Sequence, residues 1–122
     1  MTMAYGSCRR TCGTTILRLR EIQRVLDVKG GSAECIVITY HSENDDPRAW
    51  TQFRKTRNLD RPNWHFLSGS KWNVSRVSWL LGLDFGTMDS HVIHDFKIVV
   101  LDSDGALNQQ ISMAPVDFER LF

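Results

Sequence analysis

Apolar residues recur at three- and four-residue steps through Ile16, Leu19, Ile22, Val25 and Leu26, with Glu21 and Arg24 on the opposite side. That period predicts an amphipathic helix beginning near Thr14. Gly30-Gly31 ends it, because glycine tolerates the left-handed conformation of a helix terminus. Residues 2–7 read as a short strand before this helix. Residues 34–40, β-branched and apolar, read as a central strand after it. Strand, helix and strand in this order, with a connection long enough to cross over, predict a right-handed parallel unit.

Asp46-Pro47 opens a second helix, since aspartate caps free amides and proline suits the first helical position. Trp50 and Phe53 supply its apolar face. Residues 58–63 form a polar loop, and residues 64–67 a short extended piece. Ser68-Gly69-Ser70 leads into a third helix that turns Val74, Val77, Leu80 and Leu81 inward and stops at Gly82. Residues 96–101 and 106–112 flank Asp102-Ser103-Asp104-Gly105, a hairpin signal. Pro115 then opens a closing helix over 116–122. A parallel unit joined to an antiparallel hairpin and a final helix is an α/β, thioredoxin-like arrangement: a central mixed sheet flanked by helices. Residues 1–122 are expected to form one such domain.

Composition changes this picture little. The chain has 122 residues, 42% of them apolar and 24% charged, with a formal charge of +1. Those values fit a globular chain with an ordinary core and do not favour nucleic acid or an acidic membrane as the main partner. Arg9, Arg10, Arg18, Arg20 and Arg24 cluster locally, chiefly as a solvated helix face. No apolar run approaches the roughly 18 residues of a membrane span, and no signal-peptide core follows Met1. A core strand nevertheless starts within a few residues of Met1. A domain trimmed at its N-terminus is therefore expected, with any anchor or export signal outside it.

The chemistry concentrates in the cysteines. Three are too few for a disulfide scaffold. Cys35, in the apolar run Cys35-Ile36-Val37-Ile38, reads as a small buried hydrophobe. Cys8 and Cys12 stand four apart where the first strand gives way to the first helix. There the helix's positive end, with Arg9 and Arg10 alongside, favours thiolates and so both reactivity and metal affinity. On a helical turn that spacing sets the α-carbons roughly 6 Å apart, within reach of a disulfide. It also makes a looser loop than the usual C-x-x-C, able to turn both sulfurs toward one ion.

Two thiolates need a further ligand. Of His41, His65, His91 and His94, the last stands just before the hairpin strand, in a loop that a thioredoxin-like fold turns toward the first helix. Two thiolates and one imidazole make a soft, low-coordinate set that suits Cu(I) and accepts Cu(II). Structural zinc would want a fourth ligand, for which His91 and His41 are candidates without a fixed place. The alternative use of Cys8 and Cys12 is thiol–disulfide exchange, Cys8 attacking and Cys12 resolving. A peroxide-reducing enzyme lacks its expected partner residues, and a partner-binding domain without chemistry is a last option. The four tryptophans and six phenylalanines read as core or rim packing. Asp102 and Asp104 read as turn formers, and Glu43, Asp45 and Asp46 as a helix start.

The chain resembles the Sco/SenC proteins. The resemblance rests on Cys8-x-x-x-Cys12, the helix segment Leu17-Arg18-Leu19-Arg20-Glu21-Ile22, Asp45-Asp46-Pro47, Trp64-His65-Phe66-Leu67-Ser68-Gly69, and His94 ahead of the hairpin. It spans residues 3 to 122. It implies a thioredoxin-like fold with copper held by Cys8, Cys12 and His94. It also implies delivery of copper to, or reduction of, the CuA site of a cytochrome c oxidase subunit. A monomer is expected, and the same resemblance implies anchoring in a membrane by a segment outside this chain, in the periplasm or the mitochondrial intermembrane space. Departures are Arg9 and Gly13, where the family often has proline after each cysteine. His41 stands where an aspartate is usual, which makes it a candidate to replace or add a ligand.

Overall fold

A computed structural model describes residues 1–4, 11–39, 45–83, 85–88, 91–94 and 97–112, with the backbone alone for residues 4, 11–14, 85–88 and 91–94. The elements run β1 (Thr2–Ala4), α1 (Thr11–Lys29), β2 (Cys35–Thr39), α2 (Pro47–Thr56), β3 (Trp64–Leu67), α3 (Lys71–Leu81), β4 (Phe85–Met88), β5 (His91–His94), β6 (Ile98–Leu101) and β7 (Leu107–Ile111). Five strands form one sheet in the order β3-β2-β1-β6-β7, and β4 and β5 make a separate two-stranded ribbon. β1 and β3 lie parallel to β2, while β6 lies antiparallel to both β1 and β7. This is the mixed, thioredoxin-like sheet the sequence predicts.

Strand alternation divides the core into two layers, because successive side chains leave opposite faces of a strand. Val37 and Ile98 join Ile16, Leu19, Ile22, Val25 and Leu26 of α1 and Trp50 and Phe53 of α2 on one face. Their neighbours Ile38 and Val99 join Met3, Leu83 and Val74 of α3 on the other. α1 and α2 therefore cover one side of the sheet and α3 the other.

The terminators act as the sequence predicts. Gly30 and Gly82 take the left-handed conformation after α1 and α3, at φ of 63° and 61°. The Asp46 carboxylate accepts from the Ala49 amide at 2.8 Å, with Pro47 in the first helical turn, and Ser70 caps α3 in the same way. In the β6–β7 turn, Asp102 Oδ1 accepts from the amides of Asp104 and Ala106. That is the work of a turn former.

The extent and number of the elements differ from the expectations or extend them at three points. α1 starts at Thr11, earlier than the apolar period indicates, because Thr11-Cys12-Gly13 carries no periodic apolar signal of its own. β3 is a true edge strand paired along its whole length with β2. The β4–β5 ribbon was not foreseen. The predicted closing helix at 116–122 lies outside the described residues.

Cys35 is half-buried rather than fully enclosed, packed against the α1–α2 core layer. Burial pushes its thiol pKa up, a shift that the N-terminal ammonium partly opposes and the charge of Glu34 adds to. A raised pKa leaves less thiolate at any given pH. In a Cys8→Ser/Cys12→Ser background, Cys35 is therefore expected to alkylate more slowly with iodoacetamide than a free cysteine. The midpoint of its rate–pH profile should lie on the alkaline side of the free thiol's.

Candidate metal centre

Three parallel strands end along one edge of the sheet. Ala4 is opposite Thr39, and Ile38 is opposite Leu67. Beyond that edge the chain enters α1, α2 and α3 in turn, so three helix N-termini rise from the same side. In open α/β sheets ligands gather outside the carboxyl ends of the strands, where free amides and helix dipoles favour negative charge.

Cys12 is the second residue of α1, inside its first turn rather than ahead of it. Its backbone thus lies among the amides that have no partner within the helix, the part of a helix that most favours a thiolate. Cys8 and His41 lie outside the described residues. His94 is the last residue of β5, with its α-carbon opposite Phe85. The sequence reading put it in a loop before the hairpin strand. The structure instead makes it a strand residue, because the β4–β5 pairing extends to its position.

The remaining histidines separate. His91 opens β5 and faces Met88 across the ribbon. Three steps along a strand put its α-carbon about 10 Å from that of His94. His65 lies on the edge strand β3, where its Nε2 meets Glu34 Oε2 at 2.6 Å in an exposed pair. Among the described residues, no three His, Cys, Asp or Glu residues are grouped so as to hold a metal ion.

Sequence reasoning missed one member of this edge. Asp46 caps α2, but Asp45 beside it is buried, with 4% of its surface exposed. Its Oδ2 accepts the Thr39 hydroxyl at 2.6 Å, and Ser68 Oγ donates to its carbonyl. Thr39 ends β2 and Ser68 follows β3, so this carboxylate ties two strand ends together beside Ala4, where the chain leaves for the cysteine segment. The available signal was the doubled acid before proline, since only one of two adjacent carboxylates can occupy the cap.

Comparison with known proteins agrees with this architecture. The SCO1/SenC family model matches residues 1–119. A SCO1/SenC family lipoprotein from Bacillus anthracis superposes with a TM-score of 0.89 at 16% identity, over 98% of this chain and 74% of that one. The copper-bound ScoI of Bradyrhizobium japonicum gives a TM-score of 0.76 at 19% identity, over 98% and 76% of the two chains. BsSco, a member of the Sco family of cytochrome c oxidase assembly proteins in which a disulfide switch was identified, gives 0.84 at 18%, over 98% and 72%. No curated protein matches the sequence. With 119 of its 122 residues matched by one family model, the chain belongs to the SCO1/SenC family.

Proposed function

We propose that this protein is a copper metallochaperone that holds one copper ion as cargo through Cys8, Cys12 and His94. The observation that carries the reading is the match to the SCO1/SenC model across the segment bearing the cysteine pair, with Cys12 in the first turn of α1. Two thiolates and an imidazole are soft donors, the set that prefers Cu(I) and still accepts Cu(II). The copper-bound Bradyrhizobium ScoI, of the same fold, supports copper as the ion. BsSco's place among cytochrome c oxidase assembly proteins supports a CuA-bearing subunit as the acceptor or as the site reduced. We further propose a monomer of one domain, tethered to a membrane on its extracytoplasmic side; the Bacillus lipoprotein supports the tether. Among the described residues no helix is long and apolar enough to cross a membrane.

The disulfide switch of BsSco favours keeping thiol–disulfide exchange as the second reading. Here Cys8 attacks a partner disulfide as thiolate and Cys12 displaces the reduced partner. The pair ends as a disulfide, having passed two electrons to the partner, which leaves with the protons. The two roles compete for the same sulfurs, because a disulfide offers no thiolate to a metal.

Copper-loaded protein oxidised to the Cys8–Cys12 disulfide is therefore expected to release its ion. Metal analysis after gel filtration should fall from one copper per chain to none. Copper retained one-to-one after complete oxidation would contradict the proposed ligand set. Reduction of glutathione disulfide at a useful rate, unaffected by His94→Ala, would favour the second reading.

A further inference from the structure

The helix α3 is apolar on two sides. Val74 and Ser78 are buried against the sheet, with Val77 and Leu81 packed beside them. A step of 3.6 residues per turn carries Trp72, Arg76, Trp79 and Leu80 onto the opposite side. There Trp72 is 67% exposed, Trp79 77% and Leu80 63%. The Arg76 guanidinium lies over the Trp72 ring, 5.3 Å from its centroid. Large apolar side chains set together on an outer helix face mark an interaction surface, whereas scattered single ones do not.

We propose that this outer ridge of α3 docks on an anionic lipid surface. The helix carries Lys71 and Arg76 and no acidic residue, so its charge is complementary to phosphate headgroups. Indole rings settle at headgroup depth, where an apolar body and an N–H donor are both accommodated. Leu80 reaches the acyl boundary beside them, and Arg76 stays at headgroup level with its guanidinium over the Trp72 ring. Tryptophan and leucine flanked by lysine and arginine is the composition of helices that lie in a membrane interface. The inference does not depend on the copper reading, since the ridge lies on the sheet face opposite α1.

The test is flotation of the full chain with vesicles of equal parts phosphatidylglycerol and phosphatidylcholine, against phosphatidylcholine alone. Binding to the anionic vesicles is expected, weakened by added salt and accompanied by a blue shift of tryptophan emission. Trp50 and Trp64 are already buried, so the shift reports on Trp72 and Trp79. The double variant Trp72→Ser/Trp79→Ser should lose at least about tenfold in partitioning, and Arg76→Glu should also weaken it. An unchanged urea midpoint shows that the variants remain folded. Absence of binding to anionic vesicles, or equal binding by the double variant, would overturn the proposal. So would a dimer in sedimentation equilibrium that this variant abolishes, because a second copy would then be the occupant.

Discussion

Replacing Cys12 with serine is expected to lower Cu(I) affinity by more than about 100-fold, which corresponds to roughly 2.7 kcal/mol or more. The change exchanges a soft, anionic donor for a hard hydroxyl that stays protonated at neutral pH. Groups that merely orient a ligand already cost about 10–100-fold when removed, so a ligand itself should cost more. Serine is well tolerated at the start of a helix, and the first turn of α1 should persist. Cys8→Ser should behave alike. Cys35→Ser is the internal control, because Cys35 opens β2 at the other end of the strand from Thr39 and belongs to the core layer. Competition against a chromophoric Cu(I) chelator measures all three. Equal affinity in Cys12→Ser and wild type would remove the cysteine pair from the site.

The second large effect concerns the fold. Trp64→Ala should destabilise the protein by about 3–5 kcal/mol, a large part of the roughly 5–15 kcal/mol available to a domain. Trp64 is 2% exposed and stacks beside Phe66, with ring centroids 6.2 Å apart. Its indole N–H donates to Gln23 Oε1, which also accepts from Asn63 Nδ2 at 3.1 Å. Gln23 in turn donates to Asp27, which pairs with Arg61 at 2.7 Å. The alanine variant therefore leaves both a cavity in the α1–α2 layer and a buried amide short of a donor. Trp79→Ala, the same change at a position 77% exposed, should stay within about 0.5 kcal/mol. Urea denaturation midpoints compare the two. Equal losses would mean that burial is not what sets them.

These two tryptophans also show what the sequence can and cannot disclose. The period of α1, the Asp46-Pro47 start, the glycine stops and the Asp102 turn are local signals, and each appears where the local chemistry puts it. Trp64 and Trp79 look alike in the sequence, and all four tryptophans were expected at the core or its rim. Trp50 and Trp64 are buried in the α1–α2 layer, whereas Trp72 and Trp79 are not, because α3 meets the sheet through Val74 and Ser78 on its other side. Leu80, expected inward, faces outward for the same reason. The β4–β5 ribbon escaped notice because Phe85-Gly86-Thr87-Met88 and His91-Val92-Ile93-His94 lack the alternation and the Asn-Gly or Asp-Gly turn that announce a hairpin. Asp45 was hidden by its neighbour, since a cap accounts for an acid before proline without revealing that two are present for different reasons. Of the proposed copper ligands, residue type and spacing point to Cys8 and Cys12, and His94 is chosen among four histidines by its place ahead of the hairpin strand; the backbone assigns Cys12 to α1 and His94 to β5. The distance among the three depends on tertiary closure, which no local pattern encodes.

In the proposed centre one imidazole and two thiolates meet on a single ion. Protein loaded with Cu(II) should show a sulfur-to-copper charge-transfer absorption, and His94→Ala should abolish or strongly shift that band while Cys8 and Cys12 remain reduced. An identical band in wild type and His94→Ala would contradict the three-ligand centre and leave a dithiol alone.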